Sequence, residues 1–274
     1  MRCRRRRLHG SEVSRPLALA VFAGITIISV PQEIEIGREE NAEVRKQTAE
    51  LRDAHVTGYV TRIGQRLARA APGATYPYSF QVADYREINA FSLPGGPVWI
   101  NRGVLRAATN ESQVAGVLAH EIAHIAQRHA ADQLTKTLLA KWSLGMLGAM
   151  LGNAGGAGTA QIAGALVTNG VFLKFSRDDE SEADRVGLQI MTKAGWDPRG
   201  MIELFEVLRR ESNRDPGAVE VFFSTHPSPQ DRIAQLTAAA ARHRGGIHDT
   251  SEFRAMKARV LKLPPPHAMP VRPT

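Results

Sequence analysis

The sequence predicts an α+β domain, mainly helical, with one small β-sheet. Strong helix formers fill residues 33 to 71, and cap residues at Asn110, Ser176, Asp197 and Ser228 open further helices. Strand patterns are confined to three short segments between residues 78 and 105. With 43% hydrophobic and 23% charged residues among 274, the chain has material for a sizeable core.

In chain order, the first element is a leader. Arg2, Arg4, Arg5, Arg6, Arg7 and Arg15 precede a mostly apolar run over residues 17 to 30. A basic stretch followed by an apolar run shorter than the roughly 20 residues of a spanning helix reads as a secretory signal. No small-x-small cleavage pattern follows, so an uncleaved membrane anchor is the alternative, and residues 1–31 are assigned to one or the other. Cys3 lies ahead of the apolar run and is not placed for lipidation at a signal boundary. After it the chain has no cysteine, which excludes disulfides, thiol nucleophiles and cysteine zinc sites from the domain. The net charge of +8 falls to +3 once those six arginines and Glu12 are set aside. Basicity therefore belongs to the leader, and no nucleic-acid partner is expected.

The domain proper is expected over residues 32–263. The helical stretch 33 to 71, with an interruption around His55 to Gly58, ends at Pro72 and Gly73. Strands follow over residues 78 to 84, 88 to 93 and 97 to 105, and Pro97 favours an edge position for the last. Asn110 to Gln113 resembles a capping box opening a long helix. Residues 138 to 172 read as two short apolar helices around a glycine loop. They pack over the domain, or alternatively touch a membrane surface or substrate. Ser176 caps a helix ending at Gly195, and Asp197-Pro198 opens one reaching about residue 212. Ser228, Pro229 and Asp231 cap another, which runs to about residue 241. The proline-rich residues 264–274 are expected to be disordered.

Chemistry concentrates in VLAHEIAHIAQRHA, residues 117 to 130. Residues four apart share a helix face, so His120 and His124 can hold one metal ion. Glu121, one step round, is aimed at a water on that metal, where a general base belongs. Burying two imidazoles and a carboxylate among apolar flanks without a metal would be costly. A catalytic zinc site needs a third protein ligand and an open fourth position. In DDESEAD, residues 178 to 184, Glu180 and Asp184 share a face and Glu182 points away. Glu180 is the expected third ligand, with Asp184 holding the spare nitrogen of a zinc-bound histidine. Asp178 and Asp179 fit a dipole-favoured helix start. His129, turned off the ligand face, is read as structural or solvent-facing.

HEIAH, SRDDESEADRVG and STHPSPQDRIAQL together resemble the M48 metallopeptidases, in particular bacterial periplasmic members of the BepA/LoiP type. The Asn89-Ala90-Phe91 segment and GGPVWINRGVL share the likeness, which spans residues 33 to about 260. The resemblance implies a zincin-like metallopeptidase domain whose sheet borders the active site with an edge strand. It maps HExxH plus ExxxD on to His120, Glu121, His124, Glu180 and Asp184, with one Zn2+ per chain. Members of that type continue into helical repeats, which this sequence lacks. The resemblance also gives His226 a place near the zinc, either supporting the transition state or occupying the open position in a latent form; local backbone capping is the alternative. Arg232 is expected to stabilise developing negative charge or to form a structural ion pair.

The expected reaction is amide hydrolysis by metal-activated water, with Glu121 as base. The substrate would be an envelope or misfolded polypeptide lying as an extended strand along Val98, Trp99 and Ile100. The expected location is the periplasm, free or membrane-anchored. A zinc-stabilised, chaperone-like binder of unfolded envelope proteins is the second reading of the same residues.

Overall fold

The computed structural model describes residues 26–141, 174–226, 230–243 and 245–270. Ten helices are described, together with three strands. Helices α1 (Val30–Gln47) and α2 (Ala54–Ala68) lead into β1 (Ser79–Ala83), β2 (Ala90–Ser92) and β3 (Pro97–Asn101). Then come α3 (Arg102–Ala107), α4 (Glu111–Ala126) and α5 (His129–Lys141). The second half holds α6 (Arg177–Ala194), α7 (Arg199–Arg214), α8 (Glu220–Thr225), α9 (Gln230–Ala240) and α10 (Ser251–Lys262). The α+β expectation holds. Residues 1 to 25, carrying most of the expected signal or anchor, lie outside the described residues, as does most of the expected 138 to 172 helix pair. Among the described residues no helix is long and apolar enough to cross a membrane.

Helix α4 is the axis of the domain. Asn110 caps it by accepting from Gln113 N at 3.0 Å, and all 16 of its residues are buried. It packs against α6, α7, α2 and β2. A helix enclosed on every side can carry polar groups only where partners meet them. Helix α6 starts on a full capping box between Ser176 and Asp179 and stops at Gly195, whose φ of +88° suits glycine. It approaches α4 so closely that a Cβ on Gly187 would lie 3.3 Å from His120 N. That contact brings the Glu180/Asp184 face of α6 against the histidines of α4.

The sheet order is β1-β3-β2, with β1 parallel to β3 and β2 antiparallel to it. This corrects the expected substrate strand. Val98, Trp99 and Ile100 lie on the central strand, fully buried, with hydrogen-bonded strands on both sides. Pro97 is the first residue of β3, where a missing N–H breaks no ladder, and that placement rather than an edge explains it. Trp99 is a core residue stacked on Phe91, its Nε1 donating to Asn41 Oδ1 at 2.8 Å. The strand beside the site is β2.

Other boundaries shift for local reasons. The break in the first helical stretch falls at residues 48 to 53, where Glu50 bridges to Ala83 and Asp53 caps α2 at Val56 N. The third strand gives way to α3 at Arg102, whose guanidinium turns back on to Asp84 at 2.8 Å and on to the Pro264 carbonyl. The expected disordered tail is, over residues 264–270, a largely exposed strap held by backbone hydrogen bonds. His267 N donates to Asp84 O at 3.0 Å, Arg86 N donates to His267 O at 2.8 Å, and Met269 N donates to Glu87 Oε2 at 2.9 Å. Proline's fixed φ suits such an extended strap as well as it suits disorder. At the other end, Ile28 is buried against Ala131, Leu134 and Leu138 of α5, so the packed unit reaches back before residue 32. Helix α10 has no counterpart among the sequence expectations.

Glu40 on α1 is buried, and its Oε2 has no hydrogen-bond partner among the described residues. Burial pushes its carboxyl up to about 7. The folded chain thus keeps a proton that the unfolded chain releases near pH 4.5. Stability contributed by this group is full below that value and is lost as pH rises through 7, a cost of about 3 kcal/mol. Glu40→Gln is expected to raise the melting temperature at pH 8 and to flatten its decline between pH 5 and 8. Thermal denaturation of both proteins across that range measures it.

Candidate metal centre

One turn of α4 separates His120 from His124, and their Nε2 atoms stand 3.1 Å apart. From α6, Glu180 closes the third side. Its Oε2 lies 3.6 Å from His120 Nε2 and its Oε1 3.5 Å from His124 Nε2. His226, at the end of α8, completes a buried group whose candidate ligand atoms all lie within 4.8 Å of one another.

Each ring is held from behind. Asp184 Oδ1 lies 3.1 Å from His120 Nδ1, and Arg232 grips Asp184 through Nε and Nη2 at 2.6 and 2.7 Å. Arg232 Nη1 also donates to Glu180 Oε2 at 2.5 Å. Of its two expected roles, the ion pair is therefore the one the geometry shows. His226 Nδ1 lies 2.8 Å from Glu180 Oε1, and its Nε2 is 3.5 Å from Glu121 Oε1. Glu121 receives a hydrogen bond from Ser92 Oγ on β2 at 3.0 Å to its Oε2, while Oε1 has no hydrogen-bond partner among the described residues.

The donor set fits a tetrahedral ion. Bonds of about 2.0–2.1 Å place neighbouring ligand atoms about 3.4 Å apart, close to the spacings of the two imidazoles and Glu180. Charge points the same way. Glu121, Glu180 and Asp184 are three buried carboxylates against the single guanidinium of Arg232, an excess that a divalent cation cancels. Burial opposes a charge on His120, yet hydrogen bonds to Asp184 and Glu180 push it up to about 10, as if a proton stood in for the ion. His124, by contrast, is held well below its usual value by burial and the neighbouring His120. Burial would raise Glu180, but His226, His120 and His124 hold it far below the usual carboxylate range. Metal binding displaces the proton from such a site.

Four residues here escaped the sequence reading. Ser92 had no local signal beyond its strand. His129, expected on the surface or in a structural role, is buried with Nδ1 2.9 Å from His124 Nδ1. Phe175 stacks on His124 at 4.0 Å, and Phe222 on His226 at 4.8 Å. The i+5 spacing of His129 hid it, because the helix breaks between the two histidines and the periodicity no longer applies.

Two imidazoles from one helix, a carboxylate from a later one and a glutamate beside them define a zincin-like metallopeptidase domain. The sequence pattern of peptidase family M48 matches residues 54–240. The chain is 34% identical over 253 residues to the beta-barrel assembly-enhancing protease of Escherichia coli K12, covering 89% of this chain and 51% of that protein. It is 33% identical over 180 residues to the mitochondrial metalloendopeptidase OMA1 of Schizosaccharomyces pombe, covering 66% of this chain and 52% of that one. Against the metalloprotease YcaL of E. coli K12 identity is 27% over 181 residues, covering 64% and 69% respectively. The chain belongs to peptidase family M48. It spans about half the length of the first two of these relatives.

Asp184→Asn removes the carboxylate that fixes His120 and anchors Arg232. Metal affinity is expected to fall about 10- to 100-fold, as for other carboxylates behind metal-bound histidines, in competition with a chromophoric chelator.

Proposed function

We propose that this domain is a zinc-dependent endopeptidase that cleaves unfolded or misassembled proteins of the bacterial envelope, with Glu121 as general base. The observation carrying the reading is the convergence of His120, His124 and Glu180 on one point, beside a carboxylate oxygen of Glu121 that has no hydrogen-bond partner among the described residues. When bound there, zinc supplies a Lewis acid and lowers the pKa of water from about 15.7 towards 7.

The protein groups do the rest. Ser92 holds one oxygen of Glu121, so the other is aimed as a proton acceptor. Glu121 takes a proton from the attacking water and returns it to the leaving amine nitrogen, so that no charged amide nitrogen has to depart. His226 is assigned to the same reaction. With Nδ1–H donating to Glu180, its Nε2 faces Glu121, and in the imidazolium form that second nitrogen is also a donor, which lowers the energy of the negative charge gained by the scissile carbonyl oxygen. Arg232 and Asp184 position Glu180 and His120.

Substrate is assigned to the edge strand beside Glu121. An extended segment pairing along β2 brings its backbone next to the general base without any demand on sequence. The E. coli relative is named for enhancing β-barrel assembly, and the arginine-rich start followed by an apolar run agrees with an envelope location. The periplasm is the proposed compartment.

The full chain and Glu121→Gln are to be compared for zinc content and for casein digestion, each with and without chelator. Glu121→Gln is expected to keep one zinc per chain and to cut at least ~100-fold more slowly. Zinc-loaded Glu121→Gln cutting at the wild-type rate would refute the general-base role. Zinc-loaded wild type that keeps unfolded envelope protein soluble without cutting it would favour a binder over a protease.

A further inference from the structure

His120 has its carboxylate, Asp184; what stands behind His124 is a second histidine. We infer that His129 is a positioning residue that fixes the ring orientation and tautomer of His124, with Glu182 as the outer carboxylate of the pair. This rests on the reading of His124 as a metal ligand.

The chain geometry is built for the contact. Helix α4 ends at Ala126, and Arg128 takes φ +62°, the only positive φ outside glycine among the described residues. A residue with a side chain enters that region only when its surroundings hold it there. Those surroundings are visible. Arg128 Nε donates to Glu33 Oε2 at 2.9 Å and Nη2 to Ile28 O at 2.5 Å. Glu33 is itself fully buried and accepts from Tyr76 OH at 3.0 Å. The left-handed corner starts α5 at His129 and folds its ring back on to His124, where a continued helix would have carried it round the axis.

Proton positions follow from the partners. His124 presents Nε2 to His120 and Glu180, so its remaining proton is on Nδ1 and is donated to His129 Nδ1. His129 then carries its own proton on Nε2, which makes no hydrogen bond among the described residues; Glu182 Oε2 lies 3.5 Å from it, a short side-chain adjustment away. Glu182 was the member of the acidic cluster expected to point away from the ligand face, and this gives it a task. On this inference the two metal-facing rings are backed from one helix, α6: His120 by Asp184 directly, and His124 through an inserted imidazole that Glu182 approaches to 3.5 Å.

The test compares the full chain, His129→Leu, His129→Gln and His124→Ala, each loaded with cobalt. Cobalt affinity by chelator competition, the visible cobalt absorption bands and the melting temperature of the metal-free protein are read for each. His129→Leu is expected to melt like wild type when metal-free, to bind cobalt about 10- to 100-fold more weakly and to shift the absorption bands. His129→Gln, whose amide oxygen can accept from Nδ1, is expected to recover most of the affinity. A folded His129→Leu with wild-type affinity and bands overturns the inference, and so does a His129→Gln no better than leucine. Wild type that binds no cobalt, or binds it equally after His124→Ala, overturns the metal reading as well. Should His129→Leu fail to fold, nitrogen-15 NMR of the zinc-loaded wild type decides: a proton on His129 Nε2 supports the inference, and one on Nδ1 overturns it.

Discussion

Two ring nitrogens face each other across 3.1 Å in the middle of the domain, with Glu180 closing the third side. The carboxylates gathered around them are the costly part, since each buried ion costs several kcal/mol unless it is matched. The surroundings are arranged around that demand. Helix α4 is closed off on all sides, α6 is drawn against it at Gly187, and Arg232 reaches in from α9 to hold both acidic residues. A cation between the rings turns the same arrangement from a liability into a source of cohesion.

That dependence explains how much of the centre was legible in the sequence. His120, Glu121 and His124 obey helical spacing within one uninterrupted element, and so do Glu180 and Asp184 in another; geometry of this kind survives translation from a string of letters. The caps at Asn110 and Ser176 and the stop at Gly195 were legible for the same reason, being short-range chemistry. Long-range pairing was not. Nothing local distinguishes a central strand that begins with proline from an edge strand that contains one, so Val98, Trp99 and Ile100 read as an edge when they lie on the central strand. For His129 the structural alternative agrees with its burial, but the contact with His124 was hidden because the helix breaks immediately before it.

The ends of the chain carry a further lesson. Composition marked residues 264–274 as disordered, yet residues 264–270 run as a strap with hydrogen bonds to Asp84, Arg86 and Glu87. Helix α10 was legible after the fact, because Phe253, Met256 and Val260 keep one face and all are buried. Average composition describes what a segment can do alone; it is silent about a surface elsewhere that receives it.

Strand β2 comprises only Ala90, Phe91 and Ser92. On the proposed reading, a guest chain laid beside it gains a rung or two of ladder and little more. So thin a grip rewards slackness rather than wording. A polypeptide whose amides are already engaged in its own architecture has no reason to surrender them for so small a return, whereas a loose stretch yields at almost no cost. On that reading the brevity of one strand becomes a sorting rule, in which the conformational state of the client, more than its letters, would decide what is cut.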